Sequence, residues 1–141
     1  MNKKLALVTG AAQGIGYACA EALKEDGFDV ILSDIAGDGA AEAAHRLGAA
    51  AGIACDMGDA EAVSSMFDRI EADHGPVSAL VNNAGIAMPG DFLDYDLDAF
   101  DKVIAVNLRG TFVALQRAAR KMVEEKIEGA IVNMSSINAQ V

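Results

Sequence analysis

Several residue types are scarce in this chain of 141 residues. It contains no tryptophan, two prolines and two cysteines, and aromatic residues make up only 5%. The cysteines, Cys19 and Cys55, are too few for a disulfide framework, and their spacing matches no common metal site. Because disulfides belong to oxidising compartments, this composition favours a reducing, cytoplasmic location.

Basic residues and long apolar runs are also scarce. Lys and Arg number 11 against 21 Asp and Glu, which gives a formal net charge of -10. Nucleic-acid binding depends on clustered Lys and Arg, so we expect no nucleic-acid partner. The first apolar run, Leu5–Val8, is shorter than the roughly 7 residues of a secretory signal core. No run approaches the ~18 residues of a membrane helix, so we expect no membrane association.

The chain does contain enough apolar sequence to form a core, and its pattern alternates. Hydrophobic residues make up 52%, and short apolar runs alternate with longer segments of helical apolar spacing. The apolar runs predict strands at 5–8, 28–32, 52–55, 77–81 and 130–134. Strands that alternate with helices form βαβ units and a parallel sheet covered on both faces. We therefore expect one α/β domain over residues 1–141 with a doubly wound parallel sheet.

Polar residues and glycines at the segment boundaries predict where the helices begin and end. Asp38 is expected to cap the second helix, which Gly48 would end. Asp59 is expected to begin the third helix, and either Asp96 or Asp98 would begin a single long helix before the fifth strand. The acidic stretch around these last two residues is expected to be solvated, so we predict no metal site.

A glycine-rich turn lies between the first strand and the first helix, with the pattern Gly10-x-x-x-Gly14-x-Gly16. The N-terminus of a helix presents unpaired N–H groups that bind phosphate, and glycines let the backbone approach a diphosphate closely. Tyr17 follows Gly16 where a phosphate-loop nucleotidase has Lys, which argues against ATP or GTP hydrolysis. A turn that needs glycine for its geometry alone is the alternative.

Asp34 strengthens the interpretation of this turn as a dinucleotide site. It ends the second strand, close to the spacing of about 20 residues at which a carboxylate binds the adenosine ribose. The alternative is an ordinary aspartate at a strand end. A 2′-phosphate would meet this negative charge, and Ile35, Ala36 and Gln13 supply no cation to receive it. The sequence therefore predicts NAD as cofactor in preference to NADP.

Five motifs, in order along the chain, resemble those of the short-chain dehydrogenase/reductase family. They are Thr9-Gly10-x-x-x-Gly14-x-Gly16, Asp56 after the third strand, Asn82-Asn83-Ala84-Gly85 after the fourth, Asn107 in Val106-Asn107-Leu108-Arg109-Gly110, and Ser136 after the fifth. The resemblance covers the whole chain. It implies a Rossmann-like fold with two more strands beyond residue 141, so we expect the domain to be truncated after its fifth strand.

The resemblance also implies the residues of the site and their roles. The cofactor would be bound by Thr9, Gly10, Gln13, Gly14, Ile15, Gly16, Asp34, Ile35, Asp56, Met57, Asn83, Ala84 and Gly85. The catalytic residues would be Asn107, whose backbone helps to hold a water-linked proton relay, and Ser136, whose hydroxyl steadies the substrate oxygen. The implied reaction is hydride transfer between nicotinamide and a secondary alcohol or ketone, in a homodimer or homotetramer.

One part of the family pattern is missing from the chain. The family carries its acid/base on a Tyr-x-x-x-Lys motif shortly after the serine. Here Tyr17 and Tyr95 are followed four positions later by Glu21 and Ala99. A phenol with a pKa near 10 needs a nearby cation to act at neutral pH, so the chain alone is expected to be inactive.

Two other functions share parts of this pattern. A non-catalytic module that senses NAD or recruits a partner would have the same glycine turn and Asp34. A nucleotide-sugar epimerase or dehydratase is disfavoured, because those relatives usually have T-G-x-x-G-x-x-G, whereas Gly14 and Gly16 follow the other spacing.

Overall fold

A computed structural model describes residues 4–137. Strands alternate with helices along this part of the chain. In order, the elements are β1 (Leu5–Thr9), α1 (Gly14–Glu25), β2 (Asp29–Asp34), α2 (Gly37–Leu47), β3 (Ala51–Ala54), α3 (Ala60–His74), β4 (Val77–Asn82), α4 (Leu97–Ile104), a π-helical segment (Ala105–Gly110), α5 (Thr111–Glu124) and β5 (Ala130–Asn133). None of the helices within residues 4–137 is long and apolar enough to cross a membrane.

The strands form one sheet in the order β3-β2-β1-β4-β5, and every pair is parallel. The chain moves outward from β1 to β3 and then returns to the other side of β1 with β4. This reversal is the switch point at which Rossmann-like sheets bind ligands, beyond the carboxyl ends of the strands. The predicted doubly wound parallel sheet of Rossmann-like type is confirmed.

Two apolar cores cover the two faces of the sheet. On one face Leu7 and Leu80 pack with Phe67 of α3 and Met122 of α5. On the other face the strands pack against α1 and α2, largely through alanines such as Ala20. All five residues of β1 are buried, as expected for a central parallel strand that is covered on both sides.

Two aspartates begin helices as the sequence predicts. The Asp59 carboxylate accepts hydrogen bonds from the N–H groups of Glu61 (2.9 Å) and Ala62 (3.1 Å) at the start of α3. Asp96, the earlier of the two candidates, accepts from the N–H of Ala99 (3.0 Å) at the start of α4. Each carboxylate satisfies N–H groups that lack acceptors within the helix.

The prediction for Asp38 is wrong, although Gly48 ends α2 in the expected left-handed conformation. The N-cap of α2 is Ala36, and Asp38 lies in the first turn. Asp34 explains the earlier start, because its Oδ1 accepts a hydrogen bond from the N–H of Ala36 at 3.1 Å. A carboxylate at the end of β2 therefore holds the backbone where α2 begins.

The single long helix predicted before β5 is also wrong in detail. The helical backbone continues from α4 to α5, but Ala105–Gly110 winds as a π-helix. Gly110 passes so close to the loop after β3 that a Cβ would lie 2.0 Å from the Met57 carbonyl oxygen. Single π-helical turns of this kind are frequent at functional sites.

The contact between β3 and α2 gives a test of this packing. A Cβ on Gly52 would lie 2.2 Å from the carbonyl oxygen of Ala40, so Gly52→Ala must push strand and helix apart. We expect this substitution to lower the free energy of unfolding by about 1–3 kcal/mol in urea titrations.

The matched control is Gly39→Ala within α2. Its Cβ would meet the methyl carbons of Ala12 and Ala36 at 3.4 and 3.5 Å, which is ordinary contact. Because alanine favours helix, stability should stay unchanged or rise by up to about 1 kcal/mol. Equal losses from both substitutions would contradict the packing at Gly52.

Candidate functional site

The carboxyl ends of the strands border a cleft of about 560 Å³ at the switch point of the sheet. The residues that line it come from the end of β2, the first turn of α1, the loops after β1, β2, β3 and β4, and the helix that begins at Leu97. They are Gly10, Gln13, Gly14, Ile15, Ser33, Asp34, Ile35, Cys55, Asp56, Met57, Asn83, Ala84, Gly85, Ile86, Lys102 and Val106.

The structure places most of the predicted cofactor-binding residues along this cleft. Thr9 and Gly16 are the exceptions, since both are buried behind its wall. Sequence reasoning missed five of the lining residues: Ser33, Cys55, Ile86, Lys102 and Val106. The first three adjoin predicted residues in the chain, so a wider window around each motif would have included them. Val106 likewise precedes the predicted Asn107, whereas Lys102 lies on a helix whose orientation toward the cleft is not visible in the local sequence.

Thr9 and Asn83 lock the ends of β1 and β4 together behind the cleft. The Thr9 hydroxyl accepts hydrogen bonds from the N–H groups of Asn83 (3.1 Å) and Ala84 (3.0 Å). The Asn83 amide nitrogen donates to the carbonyl oxygens of Thr9 and Gly10, both at 3.1 Å. The two loops that meet at the switch point are therefore held by hydrogen bonds in both directions.

The glycines of the turn have different physical roles. A Cβ on Gly16 would lie 2.3 Å from the carbonyl oxygen of Gly10, so this position requires close packing of α1 on β1. Gly10 has φ +62° and is also tightly packed. Gly14 has φ +63°, and a Cβ there would meet nothing within 4 Å. It keeps the backbone accessible where the helix presents its first N–H groups to the cleft.

The start of α1 provides the donors that an anion would need. The first N–H groups of a helix have no acceptor within it, and the side chain of the N-cap residue Gln13 makes no capping hydrogen bond. The N-terminal end of a helix also carries a partial positive charge. These groups fit a diphosphate, which is the anionic part of a dinucleotide.

Asp34 and Asp56 are both held by backbone N–H groups at the cleft. Asp34 accepts from the N–H of Ala12 through Oδ2 and from that of Ala36 through Oδ1, each at 3.1 Å. Asp56 Oδ1 accepts from the N–H of Gly58 at 2.8 Å. Each carboxylate oxygen has two lone pairs, so both side chains keep acceptor capacity for hydroxyl or amino groups of a ligand.

The buried thiol of Cys55 forms a neutral part of the cleft wall. Burial, together with the negative charges of Asp56 and Asp59, raises its pKa to about 11, and burial is the largest of these causes. The thiolate is the nucleophilic form of cysteine, so Cys55 is not equipped for nucleophilic chemistry at neutral pH. Among the residues that line the cleft, Lys102 supplies the positive charge.

The structure does not place the two predicted catalytic residues on the lining of this cleft. Asn107 lies in the π-helical segment, where its Nδ2 donates to the Ile86 carbonyl oxygen and its Oδ1 accepts from the Ile86 N–H, both at 2.8 Å. Asn107 therefore fixes the backbone of Ile86, which lines the cleft. Ser136 is exposed and lies in the segment that follows β5.

Fold and site together define a Rossmann-like α/β protein with a glycine turn at the switch point of its sheet. Residues 4–141 match the sequence profile of the family described as short chain dehydrogenase, and the chain belongs to this family. The resemblance of its motifs to that family is confirmed.

Similar curated proteins are named as oxidoreductases or dehydrogenases. The chain is 42% identical over 139 residues to a probable oxidoreductase, EphD, of Mycobacterium tuberculosis, an alignment that covers 96% of this chain and 24% of that protein. It is 40% identical over 145 residues to a D-threitol dehydrogenase of Mycolicibacterium smegmatis, covering 100% of this chain and 55% of that protein.

A plant relative extends the comparison. The short-chain dehydrogenase reductase 5 of Arabidopsis thaliana is 33% identical over 144 residues, covering 100% of this chain and 56% of that protein. The chain therefore spans about half the length of this relative and of the D-threitol dehydrogenase, and about a quarter of EphD.

Two buried serines give a test of the hydrogen bonding at the site. Ser33 lines the cleft, and its buried hydroxyl has no hydrogen-bond partner among residues 4–137. Ser78 is buried elsewhere in the sheet, and its hydroxyl donates to the Leu5 carbonyl oxygen at 3.1 Å. We expect Ser33→Ala to leave the free energy of unfolding unchanged or to raise it, because a buried polar group without a partner is removed.

Ser78→Ala is the matched control and should lower the free energy of unfolding by about 1 kcal/mol. Both values come from denaturant titrations without ligand. A loss from Ser33→Ala as large as that from Ser78→Ala would contradict an unpaired hydroxyl at the cleft.

Proposed function

We propose that this chain is the cofactor-binding part of an NAD-dependent oxidoreductase of the short-chain dehydrogenase type. The observation that carries the proposal is the position of the glycine turn and the Asp34 carboxylate on one cleft at the switch point of the sheet. Members of this family generally use nicotinamide cofactors, which are dinucleotides with one diphosphate and two riboses.

The residues of the cleft fit the parts of such a cofactor. The N–H groups at the start of α1, beside Gly14, would hold the diphosphate. Asp34 would accept hydrogen bonds from the adenosine ribose hydroxyls while it keeps its bonds to the turn. The apolar side chains of Ile35, Met57 and Val106 line the same cleft and would pack against the adenine ring.

The preference for NAD over NADP depends on charge. Asp34 would repel the 2′-phosphate of NADP at short range. Lys102 is the cation that works against this preference, because it lines the same cleft and would attract a phosphate. We expect Asp34 to dominate, since backbone hydrogen bonds fix its carboxylate at the turn whereas Lys102 is exposed.

The proposed reaction converts a secondary alcohol to a ketone or the reverse. When bound, the nicotinamide accepts or donates the hydride. Ser136 would orient the substrate oxygen, and the Asn107 backbone would help to hold a water-linked proton relay, both as the family resemblance implies. The Asn107 side chain supports such a role, because its two hydrogen bonds tie the π-helical segment to the backbone of Ile86 at the cleft. The relative named as a D-threitol dehydrogenase supports an alcohol substrate.

The tyrosines of the chain support the prediction that it does not turn over by itself. The Tyr17 ring lies under Arg46, with the guanidinium carbon 4.6 Å from the ring centroid. The Tyr95 hydroxyl donates to the carbonyl oxygen of Met88. Neither residue lines the cleft within the described part of the chain. The names of the curated relatives favour an enzyme over a non-catalytic NAD sensor.

The cofactor preference can be tested with Asp34→Ala. Loss of the carboxylate should weaken NAD binding about tenfold or more, because hydrogen bonds to a charged group are lost, and should narrow the preference for NAD over NADP. Calorimetric titration with each cofactor gives both dissociation constants.

The control for this substitution is Asp38→Ala, which removes an exposed carboxylate from the first turn of α2, outside the cleft lining. It should change the dissociation constants for NAD and NADP by less than about twofold relative to the unmodified protein, as expected for a surface charge. Tighter binding of NADP than of NAD by the unmodified protein would contradict the charge argument.

The inactivity of the 141-residue chain can be tested directly. A preparation of this chain should bind NAD in calorimetry yet form no NADH from a panel of secondary alcohols, because the phenol that exchanges the substrate proton is lacking. Binding in the same preparation shows that the protein is folded. Alcohol-dependent NADH formation would contradict the assignment of the acid/base.

A further inference from the structure

The loop 56–58 after β3 forms one wall of the cleft, and its position depends on a residue that does not line the cleft. Asp56 and Met57 contribute to the lining. Gly58, the third residue of the loop, donates its N–H to Asp56 Oδ1 at 2.8 Å. The position of the Gly58 N–H therefore restrains the Asp56 carboxylate.

Arg109 holds Gly58 from the outside. Its Nη2 donates to the Gly58 carbonyl oxygen at 2.9 Å, across 51 positions of sequence. Arg109 does not line the cleft. Gly58 is thus held at both ends, by a carboxylate that lines the cleft and by a guanidinium behind it. A hydrogen bond from a charged donor is stronger than one between neutral groups.

The surrounding contacts leave the loop little freedom to move toward Arg109. A Cβ on Gly110 would lie 2.0 Å from the Met57 carbonyl oxygen, and a Cβ on Gly58 would lie 3.1 Å from Val106 Cγ2. The π-helical segment and the loop 56–58 are therefore in direct backbone contact. The hydrogen bond from Arg109 adds a directional restraint to that contact.

The same π-helical segment holds the opposite side of the cleft. Asn107, two positions before Arg109, makes its two hydrogen bonds to the backbone of Ile86. Six residues of the long helix, Ala105–Gly110, thus carry two side chains that fix the loops after β3 and β4. Each side chain bonds to backbone groups of its loop.

We propose that Arg109 is a positioning residue for the adenosine half of the dinucleotide. It keeps the loop 56–58 in place through Gly58, so that Asp56, a cofactor-binding residue that the family resemblance implies, presents its carboxylate to the adenine beside Met57. This inference rests on the proposed function, because it assigns the adenosine half to the wall that contains Asp56 and Met57. Arg109 itself touches neither the cofactor nor the substrate.

A double-mutant cycle on AMP binding tests the inference, with AMP as the probe for the adenosine half. Arg109→Met keeps the length of the side chain and removes the donor, and it should weaken AMP binding about fivefold by calorimetry. Arg109→Lys retains a donor and should restore affinity to within about twofold of the unmodified protein. The thermal midpoint should change little, because Arg109 is exposed.

If Arg109 positions Asp56, the effects of substituting these two residues on AMP affinity must depend on each other. A general structural role of Arg109 would give independent effects. In a protein that already contains Asp56→Ala, the further substitution Arg109→Met should weaken AMP binding by less than about twofold. Arg120→Met, which removes an exposed arginine from α5, is the matched control and should leave AMP affinity unchanged.

The outcomes distinguish this inference from the proposed function. If the unmodified protein binds neither NAD nor AMP, the proposed function is overturned and this inference with it. AMP binding that is normal in the unmodified protein and unchanged by Arg109→Met would overturn the inference alone. Losses from Arg109→Met and Asp56→Ala that simply add would also overturn it, because Arg109 would then act independently of Asp56.

Discussion

The first turn of α1 approaches the ends of β1 and β4 so closely that it leaves no room for a side chain at Gly16. A Cβ at that position would lie 2.3 Å from the Gly10 carbonyl oxygen and 2.5 Å from Asn83 Nδ2. Asn83 is in turn bonded to the backbone of Thr9 and Gly10. This contact sets the distance between the N–H groups of α1 and the floor of the cleft. An anion that binds those groups therefore lies directly over the switch point of the sheet.

Much of the fold could be predicted because it depends on local pattern. The continuous apolar run of β1 indicates a strand that is buried on both faces, and the structure buries all of it. Asp59 could be recognised as an N-cap because capping involves only the next few residues. The prediction for Asp38 is wrong because the start of α2 is fixed by a hydrogen bond from the Ala36 N–H to Asp34, at the end of the preceding strand. The N-terminus of α2 therefore depends on a side chain at the end of β2 as well as on the residues of the helix itself.

The π-helical segment could not be predicted from the sequence either, because it depends on contacts with residues that are distant along the chain. Its contacts join Asn107 to Ile86 and Gly110 to the carbonyl of Met57, and both partners are distant in sequence. The apolar spacing of the long helix continues through the segment without a visible break. For the cleft, residues within the motifs can be predicted from the sequence, whereas the position of Lys102 depends on how its helix packs against the sheet. Tertiary contact decides both features.

The central claim is that a dinucleotide binds with its diphosphate over the N–H groups of Gly14 to Gly16 and its adenosine ribose on Asp34. A crystal structure of the protein with NAD measures this most directly. We expect the diphosphate oxygens within hydrogen-bonding distance of those N–H groups and the ribose hydroxyls on the Asp34 carboxylate. A structure with NAD bound at another surface, or with no bound NAD at saturating concentration, would contradict the claim.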